Sequence, residues 1–245
     1  MEQPWVDDDR LLAALHAVLP TDGIGVTITS ELPIGRGMGS SAALAVALSR
    51  AWAALNGEVA TTARVDADAW AVERVFHGSP SGIDHTVSMS GGAVAYRKTD
   101  AGPQLTPLQL AHLPLVVIDS GTAGDTAALV AGVRARRPEV DPILADIGAL
   151  VEAAIPTLSN PDLSELGQTM LENHRLLQRI GVSTPVLDEL VQVSLRAGAL
   201  GAKLAGAGGG GIVIALAQPG AEVAHAARAA GFNAMEIELG SAHLT

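Results

Sequence analysis

The chain has 245 residues, 48% of them hydrophobic and 17% charged, with a net charge of −11 and no cysteine. That length can bury a core as one large domain or two small ones, and the mixture is that of a globular protein. The acidic balance argues against nucleic acid or an anionic membrane as partner, since both select for basic patches, and disulfides are excluded.

The first residues, Met1 to Trp5 followed by Asp7, Asp8 and Asp9, do not read as a signal peptide. The three acids are expected to cap a helix over Arg10 to Leu19. Gly25 to Ser30 alternates branched and small polar side chains, the pattern of a strand. It leads into Gly35, Gly37 and Gly39, then Ser40 and Ser41, then an alanine-rich helix over Ala42 to Leu55. Glycines give the backbone positive φ and leave room for a close ligand, and a helix opening there presents unpaired N–H groups. The combination is an anion site, with phosphate the usual occupant; a tight strand-to-helix turn is the alternative. No lysine precedes the serines, so this is not a P-loop of the Walker type. The apolar stretch is broken by Ser49 and Arg50, well short of a membrane span, and the protein is expected in the cytoplasm.

A second helix is expected over Asp66 to Phe76, with Glu73 near its end, and His77 to Asp84 reads as a Gly/Pro/Ser loop. Val87 to Tyr96 reads as paired short strands around Gly91 and Gly92, and residues 99–113 as a boundary, giving domains over 1–105 and 106–245. Beyond it come a buried strand at Leu115 to Ile118, a helix from Thr126 to Arg137, and further helices through 140–198. Ala202 to Leu204, the glycines from Gly206 to Gly211, and Ile212 to Leu216 read as strand, turn and strand. A helix over Ala221 to Ala230 and a strand over Ala234 to Leu239 complete an α+β domain. His77, His85 and His174 lack zinc spacing and read as packing or surface residues, and Lys203 as a surface charge.

Asp84 sits where an acid is more often positioned than merely solvated, and one such carboxylate can orient or deprotonate a hydroxyl. Glu73, at the end of the preceding helix, can supply an oxygen to Mg²⁺. For each acid a capping or surface role is the alternative.

Leu32-Pro33-Ile34-Gly35-x-Gly37-x-Gly39-Ser40-Ser41-Ala42 resembles the nucleotide-binding motif of the GHMP kinases. Glu73, then Phe76-His77-Gly78-x-Pro80-Ser81-Gly82-Ile83-Asp84, is similar to the central block of the mevalonate kinases in that family. The run from Gly198 to Gly211 is similar to the family's third motif in the same form. The resemblance covers nearly the whole chain, from about Gly25 to Leu239, in the family's order and spacing. It implies a two-domain α+β fold, with an incomplete ribosomal-protein-S5-like N-terminal domain and a ferredoxin-like C-terminal domain. It implies ATP-dependent phosphorylation of the 5-hydroxyl of mevalonate. The triphosphate would lie on Gly35, Arg36, Gly37, Met38, Gly39, Ser40 and Ser41, with a further nucleotide contact at Ser30. Ser41 and Glu73 would hold Mg²⁺, Asp84 would accept the hydroxyl proton, and Thr126 would face the substrate. Gly206, Gly208, Gly209 and Gly210 would fold beside the phosphate loop.

The family's first motif, Pro-Gly-Lys followed by Gly-Glu-His, has no match in residues 1–29, and the first lysine is Lys98. We therefore expect a chain shortened at its start; the alternative is a kinase that completes its site by other means, such as a homodimer. Another GHMP kinase, for instance a phosphomevalonate kinase, and a non-catalytic nucleotide-binding homologue are the competing functions.

Overall fold

The computed structural model describes residues 9–20, 23–78, 80–99 and 102–240. Asp7 and Asp8, read as helix caps, lie outside the described residues. Contacts divide the chain into two units. Among the described residues, one comprises those up to Ile34 and from Met38 to Pro107; the other comprises Gly35–Gly37 and those from Leu108 to Gly240. No helix among the described residues is long and apolar enough to cross a membrane.

The first unit holds α1 (Asp9–His16), α2 (Ser40–Leu55), α3 (Thr62–His77) and α4 (Ile83–Ser90). A two-stranded sheet of β1 (Ala93–Thr99) and β2 (Gly102–Leu108) follows. With so few aromatics, its core is small: Ala14 from α1, Ala45 and Val46 from α2, and Val65, Ala69 and Val72 from α3. α3 begins earlier than expected because Thr61 caps it, its side chain accepting from the Arg64 N–H.

Two expectations fail here. Gly25 to Ser30 is not an assigned strand, for among the described residues no strand pairs with it, and alternation alone makes no ladder. Val87 to Ser90 is helical, not extended. Hydroxyls along the segment turn back onto the helix: Thr86 Oγ1 donates to Gly82 O at 2.7 Å and Ser90 Oγ to Thr86 O at 2.9 Å. Met89 packs against the α2–α3 core.

The second unit is built on a four-stranded antiparallel sheet of β3 (Leu113–Asp119), β4 (Gly201–Ala205), β5 (Ile212–Leu216) and β6 (Asn233–Leu239), in the order β4-β5-β3-β6. Between β3 and β4 run α5 (Thr126–Ala135), α6 (Asp141–Ala154), a 3₁₀ turn, α7 (Leu163–Arg179) and α8 (Pro185–Arg196); α9 (Ala221–Ala229) joins β5 to β6. Four strands in βαββαβ sequence, with the first and third in the middle, are the expected ferredoxin-like arrangement. The residues alternate as a two-faced sheet requires. Val116, Ile118, Ala202, Leu204, Val213 and Ala215 meet α8 and α9, while Leu113, Leu115 and Leu216 meet the first turns of α7.

The edge strand β4 is covered by α7, and the contact is backbone on backbone. A Cβ placed on Gly201 would lie 2.1 Å from Gly167 O, and one on Gly167 would lie 2.4 Å from Leu200 O. Further along, the Leu204 N–H points off the sheet edge and donates to His174 Nδ1 at 3.4 Å. His174 Nε2 therefore carries the proton and donates to Asp188 Oδ1 at 3.1 Å. Ser183 Oγ donates to the same oxygen. His174 is packing, as expected.

Two outcomes follow. Gly201→Ala should destabilise the protein by about 2–3 kcal/mol, read as a lower thermal or urea midpoint. Burial holds His174 below its ordinary pKa, against the pull of Asp188 and with a small further push from Lys203. The unfolded chain then takes up a proton that the folded one refuses. The His174 contribution to stability should be level above about pH 6.5, the unfolded value, and fall as the pH drops below it. His174→Gln should flatten that limb in melts taken between pH 7 and 5.

Candidate active site

The loop before α2 turns on glycines at φ 69, 76 and 67 for Gly35, Gly37 and Gly39. Gly39 is the N-cap of α2 in the left-handed region and offers no side chain to the helix. The first intrahelical bond runs from the Ala43 N–H to Gly39 O at 2.9 Å. The amides of Ser40, Ser41 and Ala42 are thus left for an anion, at the positive end of a 16-residue helix. Ser30, expected at the nucleotide, accepts the Leu32 N–H at 3.1 Å and shapes a local turn.

α3 and α4 bring side chains to this point. Ser41 Oγ lies 3.2 Å from His77 Nε2. Glu73, one turn earlier on α3, is 2% exposed, and its Oε1 is buried with no hydrogen-bond partner among the described residues. Gly82, at φ 88, ends the preceding loop, so Asp84 stands in the first turn of α4 and not in the loop itself. Asp84 is exposed and makes no hydrogen bond among the described residues. It lies against the glycine loop: a Cβ built on Gly39 would be 3.8 Å from Asp84 Cβ. Behind it the start of α4 is pinned to α3. Buried His85 packs edge-on against Trp70 at 4.8 Å between ring centroids, with Nε2 3.2 Å from Asp66 Oδ1. A Cβ on Gly82 would meet Trp70 at 3.2 Å. Asp66, Trp70 and the His77–Ser41 bond escaped the sequence reading, because only the packing of α3 on its neighbours brings them together.

The second unit carries the other predicted residues. Gly206, Gly208, Gly209, Gly210 and Gly211 all have positive φ. Their turn from β4 to β5 packs on bare backbone. Cβ atoms on Gly208 and Gly210 would lie 2.1 Å from Val182 O and 2.6 Å from Thr122 O, and one on Gly124 would lie 2.1 Å from Gly208 O. A Cβ on Gly211 would sit 3.1 Å from Arg36 O, and Arg36 Nε lies 3.3 Å from Asp119 Oδ1, at the end of β3. That carboxylate oxygen also accepts the Gly121 N–H at 2.9 Å. Thr126 is the exposed first residue of α5, beside its capping Asp125. Lys203 is not a surface charge: Nζ donates to Leu204 O at 2.8 Å, and burial pushes the amine down to about 8. A cavity of about 420 Å³ in this unit is lined by Leu129, Val133, Arg136, Ile180 and Gly209 among others, and includes none of Ser41, Glu73 and Asp84.

Among the described residues no three His, Cys, Asp or Glu side chains form a metal cluster. Glu73 and Ser41 nevertheless suit Mg²⁺, which takes only one or two protein oxygens when phosphates and water supply the rest. The orphaned Oε1 of Glu73 is a hard donor kept dry with nothing to bind. Such a group costs stability unless a ligand satisfies it. Glu73→Met should therefore raise the metal-free protein's stability by about 1–3 kcal/mol, measured by thermal or urea unfolding in chelator.

Comparison with known proteins matches residues 9–92 to the GHMP kinases N terminal domain and residues 154–234 to the GHMP kinases C terminal domain. A mevalonate kinase of Thermococcus gammatolerans is 44% identical over 228 residues, covering 89% of this chain and 67% of that protein. One of Pyrococcus horikoshii is 46% identical over 220 residues, covering 85% of this chain and 64% of that protein. Among solved structures, L. major mevalonate kinase in complex with R-mevalonate superposes with a TM-score of 0.77 at 32% identity, over 83% of this chain and 66% of that one. The chain spans about two thirds of the length of these relatives.

Proposed function

This chain belongs to the GHMP kinase family, among its mevalonate kinases, and on that premise we propose that it transfers the γ-phosphate of ATP to the 5-hydroxyl of mevalonate, using Mg²⁺. The observation that carries the reading is the exposed Asp84 carboxyl set against Gly39, where the amides of α2 are free for phosphate. In this mechanism those amides and the loop from Gly35 to Ser41 hold the triphosphate in line with the acceptor. Asp84 takes the hydroxyl proton as the new O–P bond forms and the bond to ADP breaks. Ser41 and Glu73 hold Mg²⁺, whose charge when bound offsets that of the phosphates. Thr126 contributes to the acceptor side, and Gly206, Gly208, Gly209 and Gly210 to the nucleotide. The reading puts the protein in the cytoplasm with a small-molecule substrate as its partner, and leaves room for a homodimer.

The test is ADP formation by the purified chain with Mg-ATP, with and without mevalonate, phosphomevalonate being run alongside. Mevalonate-dependent turnover is expected, and Asp84→Asn should lower kcat by about 10²–10⁴-fold with ATP affinity unchanged. ADP formation without acceptor dependence, or an Asp84→Asn enzyme at full rate, would sink the proposal. Preference for phosphomevalonate would move the acceptor one step along.

A further inference from the structure

Ser41 carries one hydroxyl proton and two lone pairs. Among the described residues its Oγ has a single partner, His77 Nε2 at 3.2 Å. His77 is the last residue of α3, four places after Glu73, and the two therefore share one face of that helix. The face of α3 that meets Ser41 through His77 thus also carries, one turn back, Glu73, whose Oε1 is buried without a hydrogen-bond partner among the described residues. The Nδ1 of His77 makes no hydrogen bond among the described residues, and the residue is exposed, so water can serve that nitrogen and the tautomer is free to suit Ser41.

The direction of the Ser41–His77 bond decides what Ser41 can do. If the imidazole N–H donates, it occupies a serine lone pair and leaves the hydroxyl proton to point at whatever approaches. If the serine donates, both lone pairs are free. A hydroxyl binds a cation through a lone pair: an imidazole donor leaves one lone pair beside an unplaced proton, whereas an imidazole acceptor places the proton and leaves both lone pairs for the cation. We propose that His77 is a positioning residue for Ser41: its Nε2 accepts a hydrogen bond from the Ser41 hydroxyl, which keeps its proton, and so turns the oxygen's lone pairs toward the cation shared with Glu73. The inference rests on the kinase reading of this site. It assigns His77, which the sequence reading left as packing or surface, to the orientation of a metal ligand and not to the reaction itself.

Two substitutions test it. His77→Gln keeps an acceptor oxygen near the place of Nε2; His77→Phe keeps a ring and removes the acceptor. Calorimetry would compare ATP affinity with Mg²⁺ and with chelator for each protein. In His77→Phe the gain in affinity on adding Mg²⁺ should fall by about 10-fold, while affinity in chelator stays the same. His77→Gln should keep that gain to within about 2-fold, the mark of a retained acceptor. A ring that merely packs would weaken both affinities equally or neither, and either result would overturn the proposal. Nitrogen-15 spectra of the unliganded wild type give a second reading, since a His77 ring protonated at Nε2 would also overturn it. Should His77→Phe not fold, His77→Ala removes the same acceptor. A wild type that binds no ATP would bring down the kinase reading and this inference together. Normal Mg-ATP binding with an undisturbed His77→Phe would remove this inference alone.

Discussion

The first unit is arranged around a helix that starts without a cap. An N-cap side chain is worth about 1 kcal/mol, and α3 has one in Thr61. α2 begins instead on Gly39, in a backbone conformation that suits glycine and with no side-chain oxygen to take its amides. Glu73 repeats the pattern with the opposite sign, as a buried carboxyl oxygen without a donor. Unsatisfied donors at the start of α2 and an unsatisfied acceptor on α3 leave the protein incomplete alone and complementary to a polyanion carrying a cation. A buried unsatisfied side-chain oxygen is uncommon in native proteins, and on the helix that meets the uncapped start of α2 through His77 it points to a ligand.

The parts legible in the sequence are those whose chemistry is local. Gly35, Gly37 and Gly39 announce positive φ by residue type, and the run from Gly206 to Gly211 does the same between two apolar strands. β3, buried along most of its length, reads as an unbroken apolar run. What failed depended on neighbours. Gly25 to Ser30 has strand composition but no adjacent strand, and Val87 to Ser90 has strand composition but sits where helix α4 can bury His85 and Met89. Asp84 was found as a residue and misplaced as a position. Gly82 looked like part of a continuing loop, whereas its positive φ is the turn on which the next helix starts. Pairings such as Ser41 with His77 and Arg36 with Asp119 join residues 36 and 83 apart in sequence, with no periodic signature to reveal them.

In the second unit glycine serves proximity more than flexibility. Gly167 and Gly201, Gly208 and Val182, and Gly124 and Gly208 meet backbone to backbone, at separations where a methyl group has no room. These contacts run from the covered edge of β4 through its glycine turn to the segment after β3. A turn of successive positive-φ glycines would be floppy by itself, because glycine loses the most conformational freedom on folding. Here Val182, Thr122 and Gly124 hold it. The bonds from the Gly209 N–H to Val182 O at 2.8 Å and from the Gly211 N–H to Thr122 O at 2.7 Å close two ends of the turn. His174 fixes the strand that enters it.

Charge poses the remaining problem, since a chain at −11 is proposed to hold a triphosphate. Arg36 is the one basic side chain between Ser30 and Ser41, and its Nε is already turned to Asp119. That leaves the loop with little free side-chain charge to offer. The attraction must then come from short-range sources: amides aimed by positive-φ glycines, the positive end of α2, and a divalent cation carried in with the nucleotide. Such sources fall off within a turn of helix and do not draw in polyanions from a distance. An acidic chain with a few well-aimed dipoles can still accept a small phosphate ester that reaches the loop. The same reasoning gives the Ser41–Glu73 pair its weight. Where lysine and arginine are scarce, the geometry of the two proposed oxygen ligands would determine whether the charge of bound phosphates is met.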